Sequence, residues 1–207
     1  GLVLSQKWAE GKRRILIVTP ASLRKQWTQE MAEKFFLPTV IFEAKNYGQL
    51  VKNGVRRPFE IADSIVVCSY QFAAKRADEL MLTRWDLVVM DEAHRLRNVY
   101  RSDNRIGNAL KRAFSNIPKL LLTATPLQNS LLELYGLVSI VDAYAFGDVK
   151  SFKARFTKLS VEGSFDELKE RLKPIIHRTL RRQVLEYIRY TNRIPITEEF
   201  VPSDDET

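Results

Sequence analysis

The chain has 207 residues, 45% of them hydrophobic and 28% charged, with a net charge of +8 and a pI near 9.6. That composition builds a core and excludes a disordered chain, and the length fits one large domain or one domain with a small appendage. No run approaches 18 apolar residues, and one cysteine with two histidines excludes both an internal disulfide framework and a Cys/His zinc site. The opening residues Gly1–Leu4 lack the pattern of a secretory signal, so an intracellular address is expected.

Leu2–Ala9 has helix-like apolar spacing without a cap. Five short β-branched or Leu-rich runs follow: Ile15–Thr19, Val40–Phe42, Ile65–Ser69, Leu87–Met90 and Leu120–Thr123. Stretches with helical spacing lie between most of them, at 21–36, 70–82 and 101–115, with a last one at 128–141. Alternation of this kind, with strands apolar on both faces, predicts an α/β fold: a parallel sheet with helices on both faces in three layers. Right-handed crossovers then bring every strand's C-terminal end to one edge, where ligands bind. Cys68, inside an apolar run, reads as a buried reduced thiol. Residues 95–119 hold seven basic residues (Arg95, Arg97, Arg101, Arg105, Lys111, Arg112, Lys119) against Asp103 alone. Such clustering suits a polyanion such as nucleic acid, with a merely solvated surface as the alternative.

From residue 148 the texture changes to charged helices at 149–158 and 164–173, then an extended exit through 194–201. The expected division is 1–147 for the sheet lobe, 148–193 for a helical extension and 194–207 for a linker leading into another domain. Ser203 with Glu206 forms a capping-box pattern at the very end, which suggests a segment of a longer protein.

Trp85-Asp86-Leu87-Val88-Val89-Met90-Asp91-Glu92-Ala93-His94 is an apolar strand that ends on two adjacent carboxylates at the ligand edge. In nucleotide hydrolysis the first carboxylate of such a pair holds Mg²⁺ and the second polarises the attacking water. A charged turn after a buried strand is the bland alternative. Leu120-Leu121-Leu122-Thr123-Ala124-Thr125-Pro126-Leu127-Gln128-Asn129 is a second strand, ending in hydroxyls that can bond to those carboxylates. Ile15–Thr19 runs through Pro20-Ala21-Ser22-Leu23-Arg24-Lys25-Gln26-Trp27 into a helix whose free N–H groups suit a nucleic-acid phosphate. Ser22 adds a hydroxyl there, and Arg24 and Lys25 add charge. Ser69-Tyr70-Gln71 repeats the arrangement.

Together these motifs resemble the Swi/Snf family of helicase-like ATPases in helicase superfamily two, along nearly the whole chain and in order. Thr19-Pro20-Ala21-Ser22-Leu23 with Gln26-Trp27 is similar to motif Ia, and Ser69-Tyr70 falls at the next DNA-contact motif. Asp91-Glu92-Ala93-His94 matches motif II, Thr123–Asn129 matches motif III, and Arg178–Val184 resembles the Leu-Arg-Arg segment that closes the first lobe. The resemblance implies the first RecA-like lobe (a P-loop NTPase type) of a two-lobed motor that hydrolyses ATP with Mg²⁺ and tracks along double-stranded DNA. By it, Asp91 holds the metal and Glu92 activates water. His94, Thr123, Ala124, Thr125, Gln128 and Asn129 would couple the nucleotide site to DNA. Thr19, Pro20, Ser22, Arg24, Lys25, Ser69 and Tyr70 would contact DNA, and Arg181 and Arg182 would face the second lobe. Its nearest likeness is bacterial, to relatives associated with RNA polymerase or phage defence, which implies a cytoplasmic, nucleoid-associated protein and a nucleoprotein or RNA polymerase partner.

One departure stands out: Gly-x-x-x-x-Gly-Lys-Thr occurs nowhere in the 207 residues. The family form places that phosphate loop just before a helix like Leu2–Ala9, so the motif is expected upstream and the chain alone is expected to be inactive. The competing readings are a restriction-type superfamily-two motor subunit and a non-catalytic RecA-like binding module. Gln128-Asn129 favours the Swi/Snf type over the first, and the intact Asp91-Glu92 pair argues against the second.

Overall fold

Ile15–Thr19 is buried at all five positions, as a strand covered by helices on both faces requires. In the computed structural model, which describes residues 1–61, 63–125, 130–156 and 164–177, this run is β1, the centre of a parallel sheet. The sheet also contains β2 (Thr39–Phe42), β3 (Ile65–Ser69), β4 (Leu87–Met90) and β5 (Lys119–Leu121), in the order β2-β3-β1-β4-β5. Register is continuous across it: Thr19 lies beside Ser69, Val18 beside Met90, and Met90 beside Leu121.

The two-residue period of the strands sorts the core into two halves. Ile15, Ile17, Ile65, Val67, Leu87 and Val89 face one side, where Leu4 of α1 (Leu2–Ala9) and Met31 of α2 (Arg24–Phe35) cover them. Leu16, Val18, Val66, Cys68, Val88 and Met90 face the other. That side is covered by α3 (Ala44–Lys52), α4 (Tyr70–Lys75), α5 (Ala77–Leu82), α6 (Arg105–Ala113) and α7 (Leu131–Val141). The result is the three-layer α/β/α arrangement of a RecA-like P-loop NTPase core. Cys68 is wholly buried, and burial pushes its thiol up to about 12.

Several boundaries differ from the sequence-based expectation. The helix expected over 21–36 opens with a 3-10 turn at Ala21–Leu23 before α2 begins. The helix expected over 70–82 breaks at Arg76, whose φ of −114° is not helical and whose guanidinium pairs with Glu79 at 2.7 Å. α3 turns Tyr47 and Leu50 to the core and starts with a reciprocal cap, in which the Glu43 N–H donates to Asn46 Oδ1 at 2.9 Å. β5 stops at Leu121 because the Leu122 carbonyl turns to accept the Ala93 N–H at 2.8 Å.

Gly136 lets α7 press against the segment after β4: a Cβ there would lie 2.0 Å from the Arg97 carbonyl oxygen. α8 (Val149–Phe156) joins α7 through the Tyr135 and Phe152 rings, 4.9 Å apart, and α9 (Ser164–Leu172) follows. Gly1–Ile175 forms one compact unit, and a second begins at Ile176, of which Ile176 and His177 are described. The expected helical extension falls partly in the first unit. Arg181, Arg182 and residues 194–207 lie outside the described residues.

Candidate active site

The connection leaving β1 runs to α2 on one face of the sheet, and the one leaving β4 runs towards α6 on the other. The C-terminal ends of these neighbouring strands therefore open a crevice, the switch point at which α/β sheets bind ligands. Asp91 and Glu92 sit there. The Asp91 N–H donates to the Val18 carbonyl at 2.8 Å, and the Ala93 N–H donates to the Leu122 carbonyl at 2.8 Å. Strands on both sides of β4 thus anchor the segment. Between the anchors Glu92 adopts φ 52°, ψ 45°, a left-handed conformation that costs a non-glycine residue roughly 1–2 kcal/mol.

Asp91 is held by three side chains from three elements. Its Oδ2 accepts the Trp27 indole N–H at 2.7 Å and the Thr19 hydroxyl at 3.2 Å, while its main-chain carbonyl accepts the Tyr70 hydroxyl at 2.7 Å. Oδ1 accepts no bond among the described residues. Burial, with the Asp91 charge adding to it, pushes the Tyr70 phenol well above its ordinary range, so it stays a protonated donor. His94 Nδ1 lies 3.0 Å from Glu92 Oε2 but outside hydrogen-bond geometry, and among the described residues it has no hydrogen-bond partner. Glu92 and His94 side chains are 38% and 31% exposed, open enough to meet a ligand. A cavity of about 230 Å³ adjoins Asp91, lined also by Leu23, Gln26, Trp27, Glu30 and Met31.

The other expected site residues divide by exposure. Thr19 and Pro20 are buried, and so are Ser69 and Tyr70. Ser69 Oγ caps α4 by accepting the Phe72 N–H at 3.2 Å. Ser22 and Lys25 are exposed, whereas Arg24 bonds the Ala21 carbonyl at 3.1 Å and lies 3.4 Å from Glu43. Among the described residues neither Thr123 nor Thr125 is seen bonded to the carboxylates. Thr123 Oγ1 accepts the Thr125 N–H at 3.2 Å, and the hydroxyl that reaches Asp91 comes from Thr19. The reason is geometric: Asp91 continues the alternation of Leu87 and Val89, so its carboxylate lies on the face covered by α2, where Thr19 and Trp27 also stand. Ala124 and Thr125 are exposed, and Gln128 and Asn129 lie outside the described residues.

Of the basic run, Arg95, Arg101 and Arg105 are exposed. Arg97 pairs with buried Glu133 at 3.8 Å, Lys111 donates to Ser139 at 2.9 Å, and Arg112 pairs with Asp78 at 3.1 Å. Trp27 was legible in its motif but not as a ligand of Asp91. Its signal is an indole N–H one turn into a helix that starts beside the carboxylate strand, since such a donor needs a partner when covered.

Fold and crevice define a RecA-like lobe with a carboxylate pair at its switch point. The SNF2-related domain family matches residues 2–199, and the chain belongs to that family. It is 33% identical over 163 residues to RNA polymerase-associated protein RapA of Serratia proteamaculans, covering 76% of this chain and 17% of that protein. It is 35% identical over 186 residues to the uncharacterized ATP-dependent helicase YqhH of Bacillus subtilis, covering 88% of this chain and 30% of that one. The chain thus spans less than a third of either relative. The Sulfolobus solfataricus SWI2/SNF2 ATPase core in complex with dsDNA has the same fold, with a TM-score of 0.65 at 20% identity over 86% of this chain and 36% of that one. The same core domain in a second structure gives 0.65 at 22% identity, covering 90% and 36%.

Proposed function

We propose that this chain is the first lobe of a motor that couples ATP hydrolysis to movement along double-stranded DNA. The supporting observation is the Asp91-Glu92 pair, anchored to β1 and β5 at the switch point, with Asp91 Oδ1 left unpartnered among the described residues. A single hard oxygen beside an open cavity fits Mg²⁺, which binds through one or two carboxylates and keeps several waters. When bound, Mg²⁺ neutralises charge on the transferring phosphoryl group.

In this reading Thr19 and Trp27 hold the Asp91 rotamer by bonding Oδ2, which leaves Oδ1 for the metal. Glu92 accepts the proton of the attacking water. His94, beside the Glu92 carboxylate, begins the coupling path to Thr123, Ala124, Thr125, Gln128 and Asn129. DNA contacts fall to the exposed Ser22 and Lys25 at the helix start after β1, and to Arg95, Arg101 and Arg105. The interlobe role expected of Arg181 and Arg182 goes with a second lobe of the whole protein, which works in the bacterial cytoplasm at the nucleoid. The dsDNA complexed with the Sulfolobus core and the RNA polymerase in RapA's name support these partner classes.

The test is turnover by the purified full-length protein with and without duplex DNA, alongside the 207-residue chain alone. DNA-stimulated hydrolysis by the former and none above background by the latter are expected, because these residues contain no phosphate-binding loop. Turnover by the chain alone would overturn the account of the site.

A further inference from the structure

Tyr70, the first residue of α4, is 2% exposed and packed in the core, and its hydroxyl lies 2.7 Å from the Asp91 carbonyl oxygen. A phenol so placed has nothing to offer a DNA phosphate. The carbonyl it meets belongs to the peptide joining Asp91 to Glu92, and Glu92 turns left-handed at φ 52° just past the end of β4. The hydroxyl supplies that carbonyl with a hydrogen bond beyond the last paired residue of β4. The Asp91 and Ala93 N–H groups fix the two ends of the segment, and Tyr70 bonds the carbonyl between them. Left-handed non-glycine residues persist only where surroundings over-determine them, and they gather at functional sites.

We infer that Tyr70 is a positioning residue for hydrolysis, holding Glu92 in its left-handed conformation through the Asp91 carbonyl and making no contact with DNA. The inference rests on the proposed role of Glu92. Tyr70 opens α4 directly after the Ser69 cap, so any movement of that helix start reaches the Asp91-Glu92 peptide through one hydrogen bond.

The test is a double-mutant cycle in the full-length protein, with Tyr70→Phe and Glu92→Gln made singly and together. Each variant is read for kcat, KM for ATP, DNA affinity at two salt concentrations and melting temperature. Tyr70→Phe is expected to lower DNA-stimulated kcat by about tenfold or more, leaving KM and DNA affinity within about twofold. In the Glu92→Gln background the same change should cost less than about twofold, because residues acting through one group are non-additive. An equal cost in both backgrounds would overturn the inference, as would an unchanged kcat. Loss of DNA affinity with a shallower salt dependence would overturn it too, because Tyr70 would then be a phosphate contact. Site-specific 4-aminophenylalanine at position 70 keeps the shape and a donor, and so serves even if Tyr70→Phe does not fold. It should keep kcat within about threefold, and a folded variant with a large loss would again overturn the inference. Normal hydrolysis by Glu92→Gln is a separate outcome: it removes the proposed base itself, whatever Tyr70→Phe does.

Discussion

Glu92 and Asp91 are adjacent in sequence, yet one left-handed residue gives them different surroundings. Asp91 lies against β1 with two donors on one oxygen, and Glu92 stays partly in solvent. The carboxylate pair was legible in the sequence because apolar strands seldom end on two acids. The donors were not, because Thr19, Trp27 and Tyr70 meet Asp91 only through sheet order and helix placement. Gly136 shows the same dependence on packing. Gly136→Ala is expected to destabilise the fold by about 1–3 kcal/mol through overpacking against Arg97, measured by denaturant unfolding. Cys68 gives a pH test. Its thiol is raised from an ordinary 9.0 to about 12 in the fold, so the unfolded chain loses that proton first. The contribution is fully present below pH 9 and is lost as pH rises towards 12, by at most about 1.4 kcal/mol per pH unit. Melting temperature should therefore fall above pH 9, and less steeply in Cys68→Ala. An identical slope in the two proteins would contradict this. In the native state below pH 9, Cys68 should resist thiol reagents.

At the scale of elements, the strands were the most legible part. Ile15–Thr19, Ile65–Ser69 and Leu87–Met90 run as their apolar patterns predict, because burial on both faces leaves an unbroken signal. α3 was passed over although Ala44, Tyr47, Leu50 and Val51 recur at helical spacing, because the stretch is short and holds Gly48; the Glu43–Asn46 cap marks its start. The break at Arg76 was hidden for another reason: helical spacing continues through it, and the ion pair with Glu79 is a local detail that no periodicity reports. Caps give a test at this scale. Ser69→Ala removes the acceptor for the Phe72 N–H and should cost about 0.5–2 kcal/mol of stability. Thermal denaturation checks it, and a change within about 0.2 kcal/mol would contradict the capping role.

At the scale of the molecule, a charge of +8 and the exposed Arg95, Arg101 and Arg105 beside the sheet edge lead to an expectation for the isolated chain. It should bind duplex DNA weakly and without sequence preference, with a Kd of roughly 10⁻⁴–10⁻⁶ M at physiological salt that weakens steeply as salt rises. Titration of labelled duplexes of two sequences at two salt concentrations reads this directly. A salt-independent affinity would contradict phosphate contacts. The central claim, however, is the division of labour between Asp91 and Glu92, and the most direct measurement compares ATP binding with DNA-stimulated hydrolysis in the full-length protein carrying Glu92→Gln or Asp91→Asn. Glu92→Gln keeps the size of the side chain but removes its charge. It should therefore bind ATP and Mg²⁺ normally while turnover falls by about 10²–10⁴-fold, the usual worth of a general base. Asp91→Asn should loosen ATP·Mg²⁺ binding as well as slow hydrolysis. Normal hydrolysis by Glu92→Gln would contradict the account and reduce Asp91-Glu92 to a charged turn at the end of β4.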